Sequence, residues 1–152
     1  MQRNTLFLFV FILFYSCRGY ESRDSVYSVR ADIRLYDNFY SIYTNEKGNS
    51  YVVKGIGTNY MDKLVVKSAD TSHKFKIDSI NLFFEELNQF KTKPFYRKNR
   101  TGTAQRAEVY YNQTKVFDGY AWDEAFWKLF RPIMEELPKN YNPFLADDKP
   151  FE

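Results

Sequence analysis

Hydrophobic positions between residues 28 and 77 recur with a period of two, in short runs separated by turn residues. Ala31, Ile33 and Leu35 alternate with polar neighbours, and residues 46–49 form the next turn. Because successive side chains of a strand point to opposite faces, this pattern predicts half-buried β-strands. The other predicted strands of this region cover residues 40–42, 51–56, 63–67 and 75–77. Together they indicate an antiparallel meander.

Two later stretches carry the 3.6-residue period of an amphipathic helix. The first is predicted to begin at a capping residue, Asp78 or Ser79. Its apolar positions are Ile80, Phe83, Phe84, Leu87 and Phe90. The second carries the longest uninterrupted apolar stripe of the chain, which runs from Trp122 to Leu137. Both stripes predict helices that each bury one face.

A β-hairpin is predicted between the two helices, with its turn at residues 112–114 and its end at Asp118 and Gly119. Residues 92–103, before the hairpin, are predicted to be a loop. The order of strands, helix, hairpin and helix predicts an α+β fold, an antiparallel β-sheet meander with two helices packed on one face. We expect a single domain over residues 28–138, followed by a loosely ordered tail over residues 139–152.

The N-terminus begins with one charge, Arg3, and an apolar run from Leu6 to Tyr15. A run of this length is too short to cross a bilayer, which takes roughly 20 residues of helix. The segment is typical of a secretory signal. The only Cys of the chain, Cys17, follows Ser16 and precedes a polar stretch.

This junction resembles the lipobox of bacterial lipoproteins in a relaxed form. The strict pattern has Leu three residues before the Cys and a small residue two before, where this chain has Phe14 and Tyr15. The resemblance implies a lipoprotein signal peptide over residues 1–16 and a diacylglycerol on the thiol of Cys17. Residues 17–27 are then the lipidated Cys and its tether. An ordinary secretory signal cut nearby and an unmodified Cys17 within the signal remain as alternatives.

Arg18 follows the Cys where an Asp would signal retention in the inner membrane. The resemblance therefore implies an outer-membrane lipoprotein that faces the periplasm, with the membrane as its partner through the lipidated Cys17. In the part of the chain that follows the tether, no motif identifies a known family.

The amino-acid composition further restricts the kinds of functional site that the chain can contain. One Cys and one His, in 152 residues with a formal charge of +3, exclude an internal disulfide and any site that needs two imidazoles. The one histidine, His73, lies with Asp70 and Ser72 in a single polar segment, whereas a catalytic triad needs residues that converge from separate elements. We therefore expect a solvated loop histidine, no catalytic residues, no metal site and no cofactor.

The most unusual charge feature is a basic stretch between residues 91 and 106 that contains no acid and two aromatic residues. These candidate partner-binding residues are Lys91, Lys93, Phe95, Tyr96, Arg97, Lys98, Arg100 and Arg106. Such a stretch suits lipid headgroups or an acidic protein, and a flexible solvated loop is the third interpretation. A nucleic-acid partner is not expected for a secreted protein.

The sequence thus predicts a non-enzymatic, lipid-anchored protein that binds a macromolecular partner, a protein or another envelope component. An immunity or inhibitor protein is one form of this hypothesis. The alternative is a small-ligand carrier or an enzyme with a pocket between sheet and helices, lined by tyrosine hydroxyls and an acid such as Asp118.

Overall fold

The computed structural model describes residues 26–57, 64–98 and 105–144. Seven strands within these ranges form one sheet. They are β1 (Val29–Leu35), β2 (Asn38–Thr44), β3 (Ser50–Gly57), β4 (Leu64–Asp70), β5 (Phe95–Tyr96), β6 (Gln105–Tyr111) and β7 (Thr114–Tyr120). The helices are α1 (Ile77–Thr92) and α2 (Glu124–Met134), and a 3₁₀-helix covers Lys139–Tyr141. The predicted signal peptide, Cys17 and Arg100 lie outside the described residues.

The strand order across the sheet is β4-β3-β2-β1-β6-β7-β5. Neighbours pair antiparallel except β5, which is parallel to β7. Because β1 lies between β2 and β6, the N-terminal meander and the later hairpin join into one sheet. The α+β prediction of an antiparallel sheet with two helices on one face is confirmed.

One face of the sheet and the two helices enclose the core. Ala31 of β1 pairs with Ile42 of β2 and Val109 of β6, which places these three side chains at one level of the same face. The helical period brings the predicted positions Ile80, Phe83 and Leu87 of α1 against that face, where each is fully buried. The corresponding buried residues of α2 are Phe126, Leu129, Phe130 and Ile133. Both helices therefore cover the same side.

The predicted strand at residues 75–77 is wrong, because Ile77 begins α1. Phe75 is buried beneath the turn that contains Gly48, and its N–H donates to the Gly48 carbonyl at 2.9 Å. Gly48 has a φ of +77°, and a Cβ there would lie 2.5 Å from the Phe75 carbonyl oxygen. A glycine is thus required both by the left-handed backbone and by this close approach. Residues 75–77 alternate between apolar and polar because Phe75 is buried by tertiary packing, and not because they form a strand.

The predicted cap of α1 is also wrong. Lys76 holds the N-cap position, and the Ser79 hydroxyl instead donates a hydrogen bond to Glu136, which follows α2. Glu136 also accepts the Lys76 backbone N–H at 2.7 Å. Burial raises the pKa of the Glu136 carboxyl, but these hydrogen bonds outweigh it and lower the pKa. An acid distant in sequence therefore ties the start of α1 to the end of α2 through the Lys76 N–H and the Ser79 hydroxyl.

The hairpin is confirmed, with a two-residue turn at Asn112 and Gln113, which have φ values of 45° and 66°. Two successive positive φ values are the geometry that matches the twist of a two-residue hairpin. Strand β7 continues to Tyr120, past the predicted end at Asp118 and Gly119. The segment predicted as a loop over residues 92–103 contains β5.

Packed structure continues beyond residue 138, where the sequence predicts a loosely ordered tail. The Asn142 side chain is buried and donates to the Met134 carbonyl at 2.7 Å, at the end of α2. The Phe144 ring lies 4.6 Å from that of Trp127. This aromatic residue gives the first part of the tail an apolar anchor, and residues 145–152 lie outside the described ranges.

Candidate functional site

The face of the sheet opposite the helices carries a row of acids. Asp32 of β1 lies directly opposite Glu108 of β6, and Glu108 lies opposite Asp118 of β7. The strand alternation that points Ala31 and Val109 into the core points these three carboxylates to the other face. Like charges directly opposite on a sheet are destabilising, so the row depends on compensation by cations.

Lys115 and Arg106 supply most of that compensation. The Lys115 ammonium donates to Glu108 and, at 3.2 Å, to Asp118, while the Arg106 guanidinium bridges the same two carboxylates. Burial raises the pKa of the Asp118 carboxyl, but the hydrogen bonds from Lys115 and Arg106 outweigh it and lower the pKa. The Asp118 carboxyl is therefore held in its ionised form, and Glu108 shares the same two cations.

Asp32 differs from its neighbours. Burial raises the pKa of its carboxyl, against the opposing effects of the Ser41 hydroxyl, which donates to it, and of Arg30. The nearby Glu108 charge adds to the increase. Of the two aspartates in the row, Asp32 is therefore the one whose ionised form is disfavoured by its surroundings. Within the described residues, no group of three or more His, Cys, Asp or Glu side chains is arranged to hold a metal ion.

A second cluster, which we call the aromatic corner, consists of Arg97, Tyr120 and Trp122, and the exposed Tyr96 precedes Arg97 in the chain. The rings of Tyr120 and Trp122 are stacked, with centroids 4.7 Å apart and planes at 8°. The Arg97 guanidinium lies 4.9 Å from the centre of the Tyr120 ring. Trp122 is 41% exposed and Tyr96 is 53% exposed. Two large aromatic side chains are therefore presented to solvent at the β5 edge of the sheet.

Asp123 holds this corner in place. Its buried carboxylate accepts hydrogen bonds from the Arg97 guanidinium and, at 2.8 Å, from the backbone N–H of Tyr120. It occupies the N-cap position of α2, yet its side chain makes no capping hydrogen bond to the helix. A Cβ at Gly119 would lie 2.5 Å from Asp123 Oδ2, so a glycine is required for the carboxylate to approach the strand.

The predicted basic stretch is divided among several environments. The Phe95 ring is stacked on the core residue Phe117, with centroids 4.9 Å apart, and the Lys91 ammonium lies 3.7 Å from the centre of the Tyr111 ring. Arg97 and Arg106 are paired with acids from other elements. In the described part of the stretch, the exposed candidate residues are Lys93, Tyr96, Arg97 and Lys98. The stretch contains no acid in the sequence, but Asp118 and Asp123 lie close to it in the folded protein.

His73 is half-buried, where its polar surroundings predict a solvated residue. Its ring contacts Phe75 edge-on, at 4.7 Å between centroids, and its Nε2 is buried without a hydrogen-bond partner among the described residues. Burial lowers the pKa of the imidazole, against the opposing charges of Asp70 and Glu136. An unpaired nitrogen beside an aromatic ring fits a packing role.

Sequence reasoning missed Trp122 as a surface residue, because its spacing continues the apolar stripe of α2. The signal that could have revealed it is the adjacent Asp123, since an acid at that point favours a helix that begins after it and leaves Trp122 outside. No helix within the described ranges has both the length and the apolar character needed to cross a membrane. Comparison with protein-family models, curated proteins and solved structures finds no match to this chain.

Proposed function

We propose that the chain is a lipid-anchored protein of the outer membrane, facing the periplasm, and that it binds a macromolecular partner without catalysis. The observation that carries the binding proposal is the exposed Trp122 ring, stacked on Tyr120 and supported by Arg97 and Asp123. The membrane anchor is carried by the lipobox-like junction at Cys17.

The composition of the aromatic corner is that of a binding surface. Trp, Tyr and Arg are the residues most enriched among those that contribute most to protein–protein affinity, since they bury large areas with few rotatable bonds. The stack and the Asp123 contacts restrict these side chains before any partner arrives. Preorganisation of this kind lowers the entropy cost of association.

Charge favours an acidic protein as the partner. Lys93 and Lys98 lie on either side of Arg97 in the sequence, both are exposed, and neither forms an ion pair with the described residues. Exposed lysines at an interface rim increase the association rate with a surface of opposite charge. An immunity or inhibitor protein is the narrower form of this proposal.

A pocket between sheet and helices has less support. That space is filled by large side chains that are almost fully buried, among them Phe83, Phe117, Phe126 and Phe130. Asp118, the acid suggested for such a pocket, lies on the opposite face of the sheet in the network with Arg106 and Lys115. The binding hypothesis is therefore preferred over the carrier or enzyme hypothesis.

The anchor is tested by metabolic labelling with a fatty-acid analogue. Wild-type protein is expected to carry the label and to fractionate with the outer membrane, whereas Cys17→Ala should lose the label completely. The reason is that Cys17 is the only thiol in the chain. Equal labelling of both proteins, or none in either, would contradict the lipoprotein proposal and favour an ordinary secretory signal.

The binding surface is tested by amine-reactive crosslinking in intact envelopes, because Lys93 and Lys98 lie on either side of Arg97 in the sequence. Wild type is expected to give a discrete protein adduct whose yield falls about tenfold in Trp122→Ala, as for the loss of an interface residue with a large energetic contribution. The exposed position of Trp122 outside α2 should leave the fold intact, as circular dichroism can confirm.

Ile77→Ala is the matched control, since Ile77 is an exposed apolar residue, 56% accessible, at the start of α1. This variant should crosslink as wild type does. An adduct that persists in Trp122→Ala would refute the assignment of the surface. Crosslinks to aminophospholipids alone would indicate that the corner contacts lipid headgroups and not a protein.

A further inference from the structure

A small open pocket lies on the sheet face opposite the helices, where β1 begins and the β6–β7 hairpin turns. Its volume is about 250 Å³, and its lining residues are Tyr27, Ser28, Arg30, Tyr110 and Gln113. The backbone N–H of Asn112 donates to the Ser28 carbonyl at 2.8 Å, which ties the hairpin turn to the start of β1. Two adjacent strands and a tight turn thus make a rigid wall.

Arg30 is the one charged residue in this lining. Its guanidinium lies over the Tyr110 ring, with the guanidinium carbon 4.2 Å from the centre of that ring. Its Nε lies 3.2 Å from Asp32 Oδ2, the closest atoms of their ion pair. The side chain is held at two points, by an aromatic face and by a carboxylate, while 35% of its surface remains exposed.

The guanidinium still has hydrogen-bonding capacity. Its buried Nε makes no hydrogen bond of good geometry, although Asp32 is close. Burial lowers the pKa of the Arg30 guanidinium, but the charge of Asp32 and a side-chain hydrogen bond with Tyr110 oppose it, and the pKa is raised. The exposed part of the side chain therefore does not include Nε, and a ligand in the pocket would meet the guanidinium through its terminal N–H groups.

We propose that this pocket binds a carboxylate carried on a small polar group. The terminal N–H groups of a guanidinium form a planar fork that matches the two oxygens of a carboxylate. The Gln113 amide and the Tyr27 hydroxyl add uncharged donors and acceptors beside that fork. The volume admits one compact ligand group. Two kinds of ligand carry a carboxylate on such a group, an acidic sugar and the C-terminus of a peptide.

The test is a titration of the isotope-labelled mature protein by nuclear magnetic resonance at constant ionic strength. The probes are glucuronate and N-acetylglycine, with methyl glucoside and N-acetylglycinamide as their uncharged counterparts. We expect saturable shifts of the Ser28, Arg30 and Gln113 amides with a carboxylate probe below ~50 mM, in the range of a single small-group contact. The probe that binds more tightly identifies the source.

Arg30→Lys retains the charge but removes the fork, so the affinity should fall about tenfold. Gln113→Gly removes the amide at a position where a positive φ suits glycine, and a fall of several-fold is expected without strain. Arg131→Lys, on the exposed surface of α2, is the control and should bind as wild type does.

Three results would overturn the proposal. One is the absence of saturation by either carboxylate at ~50 mM, which corresponds to a negligible free energy of binding. Another is equal binding of the uncharged counterparts, which would assign the pocket to hydroxyl or amide recognition. The third is unchanged affinity in both Arg30→Lys and Gln113→Gly, which would place the bound carboxylate elsewhere.

Discussion

Phe117→Ala is expected to destabilise the protein by about 3 to 5 kcal/mol, the usual cost of removing a buried phenylalanine ring. Phe117 is fully buried in β7, and its ring contacts three other aromatic rings, those of Phe90, Phe95 and Phe126. These residues belong to α1, β5 and α2. The cavity would therefore open where two helices and an edge strand meet, and no one element could close it.

The measurement is equilibrium unfolding in urea, followed by circular dichroism. A loss of this size approaches the whole stability of a domain with a free energy of unfolding of about 5 kcal/mol, so Phe117→Ala should show a much lower midpoint or no folded baseline. Phe84→Ala is the control, because Phe84 is only partly buried on α1 and its removal should cost clearly less. Equal effects of the two variants would contradict the central position of Phe117.

Asp123→Ala is expected to cost about 2 to 3 kcal/mol, since it leaves a buried N–H and a guanidinium without their acceptor. The Asp123 carboxylate is the acceptor for the Tyr120 N–H at 2.8 Å and for Arg97 Nε at 3.2 Å. We expect a smaller loss of stability than for a fully buried ion pair, because 42% of the Arg97 side chain is exposed and solvent screens its charge.

The same variant should loosen the aromatic corner. Without Asp123 the Arg97 guanidinium is free to leave the Tyr120 ring, and the Tyr120–Trp122 stack should lose order. Urea unfolding gives the change in stability, and the near-ultraviolet circular dichroism of Trp122 reports the stack. Glu124→Ala is the matched control, an adjacent exposed acid that should cost less than about 1 kcal/mol through the helix dipole. A similar cost in both variants would show that the buried contacts contribute little.

The secondary structure followed from the sequence where local pattern and burial agree. In β1, Ala31 and Ile33 alternate with Asp32 and are buried, and the α1 positions Ile80, Phe83 and Leu87 face the core as their spacing predicts. The prediction failed where one long-range contact sets the conformation. Phe75 is buried by the turn at Gly48, and Glu136 accepts the N–H of Lys76 at the start of α1. Neither contact leaves a local signal in the sequence.

The candidate sites were less predictable than the fold. The basic stretch contains Arg97 of the aromatic corner, and its role in binding a partner stays a prediction. The acids that neutralise Arg97 and Arg106 were missed, since Asp118 and Asp123 lie 12 or more residues away along the chain from these partners. Arg30 was not singled out at all, because its pocket forms only when the β6–β7 turn is beside the start of β1.

By itself the sequence determined the periodicities, and these determined the α+β class, the pairing of the hairpin and which helix faces are buried. It also supplied the lipobox-like junction, which needs no fold to be recognised. Only the tertiary structure decided the charge of each surface and the exposure of Trp122, because these depend on strand pairing across the sheet and on where α2 begins. Periodicity depends on neighbours in the chain, whereas electrostatic pairing depends on neighbours in space.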